Sequence, residues 1–172
     1  MDKKQICVKF AREICDILEI SVPDIKFVSA DRMHTGTQIA ALTPGAVLIR
    51  DDIAVSPELF FALAHELRHA YQIAHGASLE EYQTSDRISA DRYNLQPLEV
   101  DANAFGVLIM SEYFSIVPQF HNMPDTVRKA INNRVKQLQK RICINTNSQY
   151  RYYIGVGFFN IYILLRCLVF LL

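Results

Sequence analysis

Residues 61–72 read FALAHELRHAYQ, and the spacing of the two histidines in this stretch organises the interpretation of the whole chain. His65 and His69 are four positions apart, so on a helix their side chains lie on one face and can direct a ring nitrogen at the same ion. The dipeptide Ser56-Pro57 is a typical helix start, because Ser caps the first turn and Pro fits the first helical position. The sequence therefore predicts a helix over residues 57–75.

The segment from His65 to His69 is an H-E-x-x-H motif. In this motif the two histidines are zinc ligands, and the glutamate between them, here Glu66, is the general base that takes a proton from water. Neutral imidazoles suit Zn²⁺ well among the common metals. A catalytic zinc usually has three protein ligands and one water, so a third ligand must come from another part of the chain.

Residues 96–106, QPLEVDANAFG, begin a second predicted helix that spans 97–114. Glu99 lies near the border of its apolar stripe and can point into the gap between two packed helices, which makes it the candidate third ligand. Asp101 lies about 200° further round the helix and is expected to face outward or to cap the helix start. Alternatively, both acids are solvated first-turn residues. The stripe itself has helical spacing and comprises Leu98, Ala102, Phe105 and Ile109.

Taken together, the two motifs resemble those of the ImmA/IrrE-type metallopeptidases, whose second motif has the form E-x-E-A-N-x-F-A. The resemblance covers about residues 57–111 and implies that Glu99 binds the metal and that Asp101 takes the place of the second acid. It also implies that Asn103 supports the ligands from one turn below. The chain departs from the family pattern at Arg68, where Gly is common, and it lacks the Pro that often follows the second helix.

Composition narrows the class of partner and the cellular setting. The 172 residues include 18 Lys and Arg against 18 Asp and Glu, so the net charge is zero. A nucleic-acid partner is not expected, because it would require a basic surface. The four cysteines are scattered without a C-x-x-C pair, which favours reduced, buried thiols in a cytoplasmic protein. We predict one domain over residues 1–149, followed by an apolar tail over 150–172.

The residues before the motif predict a helix and a small sheet. A helix is expected over 3–19 and a short strand over 25–28. Two further strands, 38–42 and 46–50, flank a Thr-Pro-Gly turn and predict a hairpin. The expected fold is therefore α+β, a minimal zincin-like domain in which a small, mainly antiparallel sheet packs on the two motif helices. Val47–Arg50 is the candidate edge strand for an extended peptide substrate.

The connection over residues 76–96 is long and polar, and loops of this length in compact domains are often functional. Tyr93 is a candidate hydroxyl donor that stabilises an oxyanion during amide hydrolysis; alternatively, it packs at the edge of the loop. A short helix is expected near Glu80–Tyr82. His75 and His121 are lone histidines, for which surface or capping roles are favoured over metal binding.

A last amphipathic helix is expected to begin at Pro124, with Val127, Ile131, Val135 and Leu138 on its inner face. The composition then changes, because residues 152–172 are almost wholly apolar. Three interpretations compete for this tail: a membrane anchor, a pair of strands, or an atypical end. The anchor ranks first because the length approaches the roughly 20 residues that a bilayer requires, although the internal Arg166 opposes it.

These features predict a zinc-dependent metallopeptidase that acts on a peptide or protein. His65, His69 and Glu99 are its expected Zn²⁺ ligands, and Glu66 is its general base, with Tyr93 as an additional catalytic candidate. The expected location is cytoplasmic, with membrane association through 152–172 if the tail is an anchor. The alternative is a non-catalytic, metal-stabilised interaction or regulatory module, in which a fourth protein ligand such as His75 or His121 would close the metal site.

Overall fold

The structure is a computed structural model, and it describes residues 1–120 and 122–145. The predicted α+β class is confirmed in this part of the chain. The predicted tail over 150–172, and with it the boundary of the 1–149 domain, lies outside the described residues. No helix in the described part is long and apolar enough to cross a membrane. The elements are α1 (Lys3–Leu18), β1 (Asp24–Val28), β2 (Ala40–Thr43), β3 (Ala46–Arg50), α2 (Pro57–Ala74), α3 (Ala90–Asn94), α4 (Pro97–Phe114) and α5 (Asp125–Asn145).

The three strands form a mixed sheet in the order β1-β3-β2. β2 and β3 form the predicted antiparallel hairpin, and Gly45 at its turn has a φ of 77°, which glycine adopts readily. β1 pairs with the other side of β3 in the parallel direction. The prediction of a mainly antiparallel sheet is therefore wrong. The connection over residues 29–39 places β2 one strand position away from β1, and β3 then fills the position between them. No local pattern in β1 indicates this gap.

The prediction of Val47–Arg50 as an edge strand is also wrong, because these residues belong to β3 at the centre of the sheet. The backbone of β3 pairs with a strand on each side and has no open edge for a peptide. The edge that lies beside the motif helix α2 is β2. Any strand added to the sheet near the motif must therefore pair with Ala40–Thr43.

The core is formed where α1 packs on α2 and on the sheet. Phe10 and Phe60 are buried with ring centroids 4.8 Å apart, and full burial of such a side chain contributes about 1.5–3 kcal/mol. The helical spacing of Ile6, Phe10, Ile14, Ile17 and Leu18 predicts one inner face of α1. Phe10, Ile14 and Leu18 are buried as predicted, Ile6 is partly buried, and Ile17 is 37% exposed. Cys7 and Cys15 on α1 are buried free thiols, as predicted. The side chains of the other two cysteines lie outside what the structure describes.

Helix α4 is the central helix, because it packs against both α2 and α5. Its buried positions lie on several sides rather than along one stripe, as is typical of a helix inside a core. The close approach of α4 to α2 depends on Gly106, where an added Cβ would lie 2.8 Å from Cε2 of Phe61. This spacing sets the distance between the histidines of α2 and the acids of α4.

Candidate metal centre

The two histidines of the motif face each other on α2. The helix begins as predicted, with the Oγ of Ser56 accepting a hydrogen bond from the Leu59 amide at 3.3 Å and Pro57 in the first turn. Seen from this start, His65 and His69 are one helical turn apart on the same face. Their Nε2 atoms are 3.0 Å apart, close enough to bind one ion.

Glu99 of α4 completes a group of three donors, as predicted. Its side chain is only 1% exposed. Its Oε2 lies 3.4 Å from Nε2 of His65, and its Oε1 lies 3.2 Å from Nε2 of His69. Four tetrahedral ligands at about 2.0–2.1 Å from a zinc ion are separated by about 3.3–3.4 Å. One ligand atom from each of the three side chains lies within 4.8 Å of the others, so this His-His-Glu set could hold a metal ion.

The charges at this site favour a cation. Burial opposes the negative charge of Glu99, but hydrogen bonds to His65 and His69 outweigh it and hold the pKa of Glu99 below its usual range. Burial likewise opposes protonation of His69, yet its hydrogen bond to Glu99 and the nearby carboxylates raise the pKa of His69. In the absence of a metal, the buried carboxylate is balanced by the histidines. A bound cation would take over that role.

Two tyrosine hydroxyls hold the outer side of Glu99. Tyr82 donates a hydrogen bond to Oε1 of Glu99 at 2.6 Å, and Tyr93 of α3 donates to the same oxygen at 2.9 Å. Burial is the first cause that raises the pKa of each hydroxyl, so both remain protonated donors. Tyr93 thus lies at the site, although its contact is with Glu99. Tyr82 was not predicted as a site residue. The short helix expected near Glu80–Tyr82 is not found there, and a short helix lies instead at Ala90–Asn94.

Glu66 lies on the other side of the histidines and faces a cleft. Its Oε2 accepts a hydrogen bond of 2.8 Å from the amide of Leu42 in β2. Burial raises the pKa of Glu66, with the positive charges of the histidines acting in the opposite direction. Glu66 and His69 both line a cavity of about 280 Å³, bordered by β2 and by parts of the 79–93 segment. The carboxylate is therefore next to the candidate metal ligands and accessible from the cleft.

Behind His69 is a polar cluster that corrects the prediction for Asp101. The carboxylate of Asp101 is buried and accepts hydrogen bonds from Nε of Arg68 and Nε of Arg134, both at 2.7 Å. It does not face outward, because α4 has α2 on one side and α5 on the other. Gln72 joins the cluster and also contacts His69. Gln72 was not predicted as a site residue, although its position three residues after His69 could have indicated it.

The remaining predicted residues are placed as follows. His75 caps the end of α2, and its Nδ1 lies 2.9 Å from the carbonyl oxygen of Tyr71. Its expected surface and capping role is confirmed, and it is not part of the metal-binding group. His121 lies outside the described residues. Asn103 is buried, but the hydrogen bonds described around the three ligands do not include it, so its supporting role stays a prediction.

Comparison of the chain with protein-family models, with curated proteins and with solved structures finds no match. The chemistry of the site therefore rests on its own residues and their geometry.

Proposed function

We propose that this protein is a zinc-dependent metallopeptidase. The observation that carries the proposal is that Glu66 and His69 line the same cleft, beside an edge strand of the sheet. A metal site that served only to join two helices would not need an accessible carboxylate beside it. The resemblance of the two motifs to those of ImmA/IrrE-type metallopeptidases implies the same ligands and supports the same conclusion.

His65, His69 and Glu99 would hold the ion, and their nitrogen and oxygen donors suit zinc. When bound, zinc would polarise the scissile carbonyl and make a nearby water more acidic. Glu66 takes a proton from that water as the water oxygen forms a bond to the carbonyl carbon. It then passes the proton to the departing nitrogen as the carbon–nitrogen bond breaks. The raised pKa of Glu66 suits a group that first accepts and then donates a proton.

The edge strand β2 is the site we propose for an extended substrate. Leu42 and Ala40 occupy alternate positions that do not bond to β3, so their backbone groups point away from the sheet. The Leu42 amide is held by Glu66, which leaves the groups of Ala40 and the Leu42 carbonyl for pairing with a peptide. A peptide in this position would pass directly beside the general base.

The cleft next to this strand favours apolar substrate side chains. Ile73 and Leu79 line it with 51% and 52% of their surface exposed. Among the described residues that line it there is no lysine or arginine, whereas Glu66 is one of them. An acidic substrate residue would therefore meet the Glu66 carboxylate without a lysine or arginine side chain to pair with. We therefore propose that the substrate presents an apolar residue close to the scissile bond.

The alternative, a non-catalytic metal-stabilised module, required a fourth protein ligand that closes the site. Of the two candidates, His75 turns toward the backbone of its own helix. Nothing in the described part of the chain favours the closed site over the open one.

The test is cleavage of an unbiased pool of unfolded peptides by zinc-loaded protein, with new termini identified by mass spectrometry. We expect Glu66→Gln to lower the rate by about 10²–10⁴-fold while its zinc content stays at the level of the wild-type protein. Glu58→Gln is the matched control, because Glu58 is exposed on the first turn of the same helix. Equal rates for wild type and Glu66→Gln would contradict the proposal. Full zinc loading without any new terminus would favour the non-catalytic module.

A further inference from the structure

A chain of buried hydrogen bonds connects His69 to the ion pairs at the back of the site. Nε2 of Gln72 donates to the carbonyl oxygen of Leu98 at 3.0 Å and to Oδ2 of Asp101 at 2.8 Å. Oε1 of Gln72 lies 2.8 Å from Nδ1 of His69. Arg68 and Asp101, like Gln72, are less than 9% exposed. The proposed reaction does not by itself require any of these contacts.

The partners of Gln72 determine which way its amide points. A backbone carbonyl and a carboxylate only accept hydrogen bonds, so the NH₂ group of the amide must face Leu98 and Asp101. The amide oxygen then faces His69, and an oxygen in that position requires a proton on Nδ1. A ring that keeps this proton binds a metal ion through the other nitrogen, Nε2, and the ion then takes the place of any proton shared between Nε2 and Glu99. That nitrogen is the one that faces His65 and Glu99.

Asp101 is held in place from two further helices. Arg68 of α2 and Arg134 of α5 both donate to it, and the guanidinium of Arg68 also lies over the ring of Tyr71, with 4.2 Å from Cζ to the ring centroid. A carboxylate fixed in this way cannot turn to follow the amide. Asp101 therefore fixes the orientation of the Gln72 amide, and the amide fixes the orientation of the His69 ring.

We propose that Gln72 is a positioning residue that keeps His69 in the tautomer with the proton on Nδ1, and that Asp101 acts on the metal centre only through Gln72. The inference rests on the proposed metal site, since it assigns a function to the nitrogen that would bind the ion. It predicts that Nδ1 of His69 already carries its proton before a metal ion binds. Groups that orient a metal-binding histidine in this way are worth about 10–100-fold in metal affinity.

The first experiment uses Glu99→Ala without metal, because in the wild-type protein the Glu99 carboxylate also accepts a proton from Nε2 of His69. Nitrogen-15 NMR of the neutral His69 ring reports which nitrogen carries the proton. We expect protonation at Nδ1 in Glu99→Ala and a mixture of tautomers when Gln72→Met is added. Protonation at Nε2 in Glu99→Ala would overturn the inference. Because this measurement needs no zinc, its result stands even if the protein proves not to bind zinc at all.

The second experiment measures the zinc dissociation constant in a double-mutant cycle. We expect Gln72→Met to weaken binding by about 10–100-fold and Asp101→Asn to weaken it less. In the Gln72→Met background, Asp101→Asn should change the dissociation constant by no more than about twofold, because the connection is already broken. Melting curves of the same variants separate the effect on zinc affinity from an effect on stability. Asp101→Asn should lower stability in both backgrounds, because it weakens the ion pairs with Arg68 and Arg134.

The matched control is Gln137→Met. Gln137 bonds to the same Arg134, with 2.9 Å between Oε1 and Nη1, but it is exposed and does not contact Asp101 or His69. Its zinc affinity should equal that of the wild-type protein. If Gln72→Met also binds zinc like the wild type, or if its effect and that of Asp101→Asn are additive, the proposed connection is wrong.

Discussion

The roles of the two glutamates at the metal centre are separated by comparing Glu99→Gln with Glu66→Gln. Each change keeps the size of the side chain and removes its negative charge. Glu99 is the buried third donor, at 3.2 and 3.4 Å from the two histidine nitrogens. Glu66 instead accepts a hydrogen bond from Leu42, and a glutamine oxygen can accept the same bond. Only the Glu99 change should therefore affect zinc binding.

The expected size of the effect follows from ligand linkage. Zinc at 100 times its dissociation constant adds about 2.7 kcal/mol to the free energy of unfolding. For a domain of this size, 1 kcal/mol shifts the melting temperature by about 2–4 °C, so zinc should raise it by about 5–11 °C. Loss of the Glu99 ligand should weaken binding by at least about 100-fold, more than loss of an orienting group. The same zinc concentration then adds about 0.4 kcal/mol, or about 1–2 °C.

The assay is a melting curve recorded with chelator and again with zinc for each variant, together with bound metal measured by mass spectrometry. Taking the difference between the two curves removes any effect of the substitution on the metal-free protein. Glu66→Gln should keep the full zinc-dependent shift. If Asp101→Asn loses the shift while Glu99→Gln retains it, the ligand assignment is wrong. If neither Glu99→Gln nor a change of either histidine alters bound zinc, the metal site does not exist.

Three further predictions test the packing and the cleft. Gly106→Val should lower the free energy of unfolding by about 1–3 kcal/mol, because it overpacks the contact between α2 and α4. Gly36→Val should be nearly neutral, because nothing lies within 4 Å of a Cβ added there. Equal effects of the two changes in denaturant titrations would contradict the close approach of the helices. Ile73→Asp should lower kcat/KM for peptides with an apolar residue near the cleavage site by about 5–10-fold, as expected for loss of about 1 kcal/mol of apolar contact. The same change at Val117, which is 66% exposed, should leave kcat/KM unchanged. If Ile73→Asp also leaves kcat/KM unchanged, the proposed apolar contact is wrong. Burial raises the pKa of Cys7 and Cys15 to about 11. At pH 8 both thiols should therefore be alkylated at least about 100-fold more slowly in the folded than in the denatured protein. Rapid labelling of either cysteine, found by peptide mapping, would mean that α1 does not pack as described.

Several parts of the site could be predicted from the sequence because they depend on local geometry. A spacing of four residues on a helix places His65 and His69 on one face whatever surrounds them, and Ser56 and Pro57 define the start of that helix. Glu99 could be predicted by the same reasoning, since it borders an apolar stripe. These predictions required only the repeat of the helix and the chemistry of each side chain.

The order of the strands and the surroundings of the ligands were decided only by the tertiary structure. The place of β3 at the centre of the sheet depends on the gap that the chain leaves between β1 and β2, which no alternation of residues encodes. Asp101 was expected outside because one apolar stripe suggests one buried face, but α4 is enclosed by α2 and α5 and has interior on both sides. Gln72 and Tyr82 acquire their roles only when Asp101 and Glu99 are brought to them across 29 and 17 residues of sequence. The residues that can bind a metal are thus defined by helix periodicity, whereas the residues that orient them are defined by long-range packing, which a single sequence does not reveal.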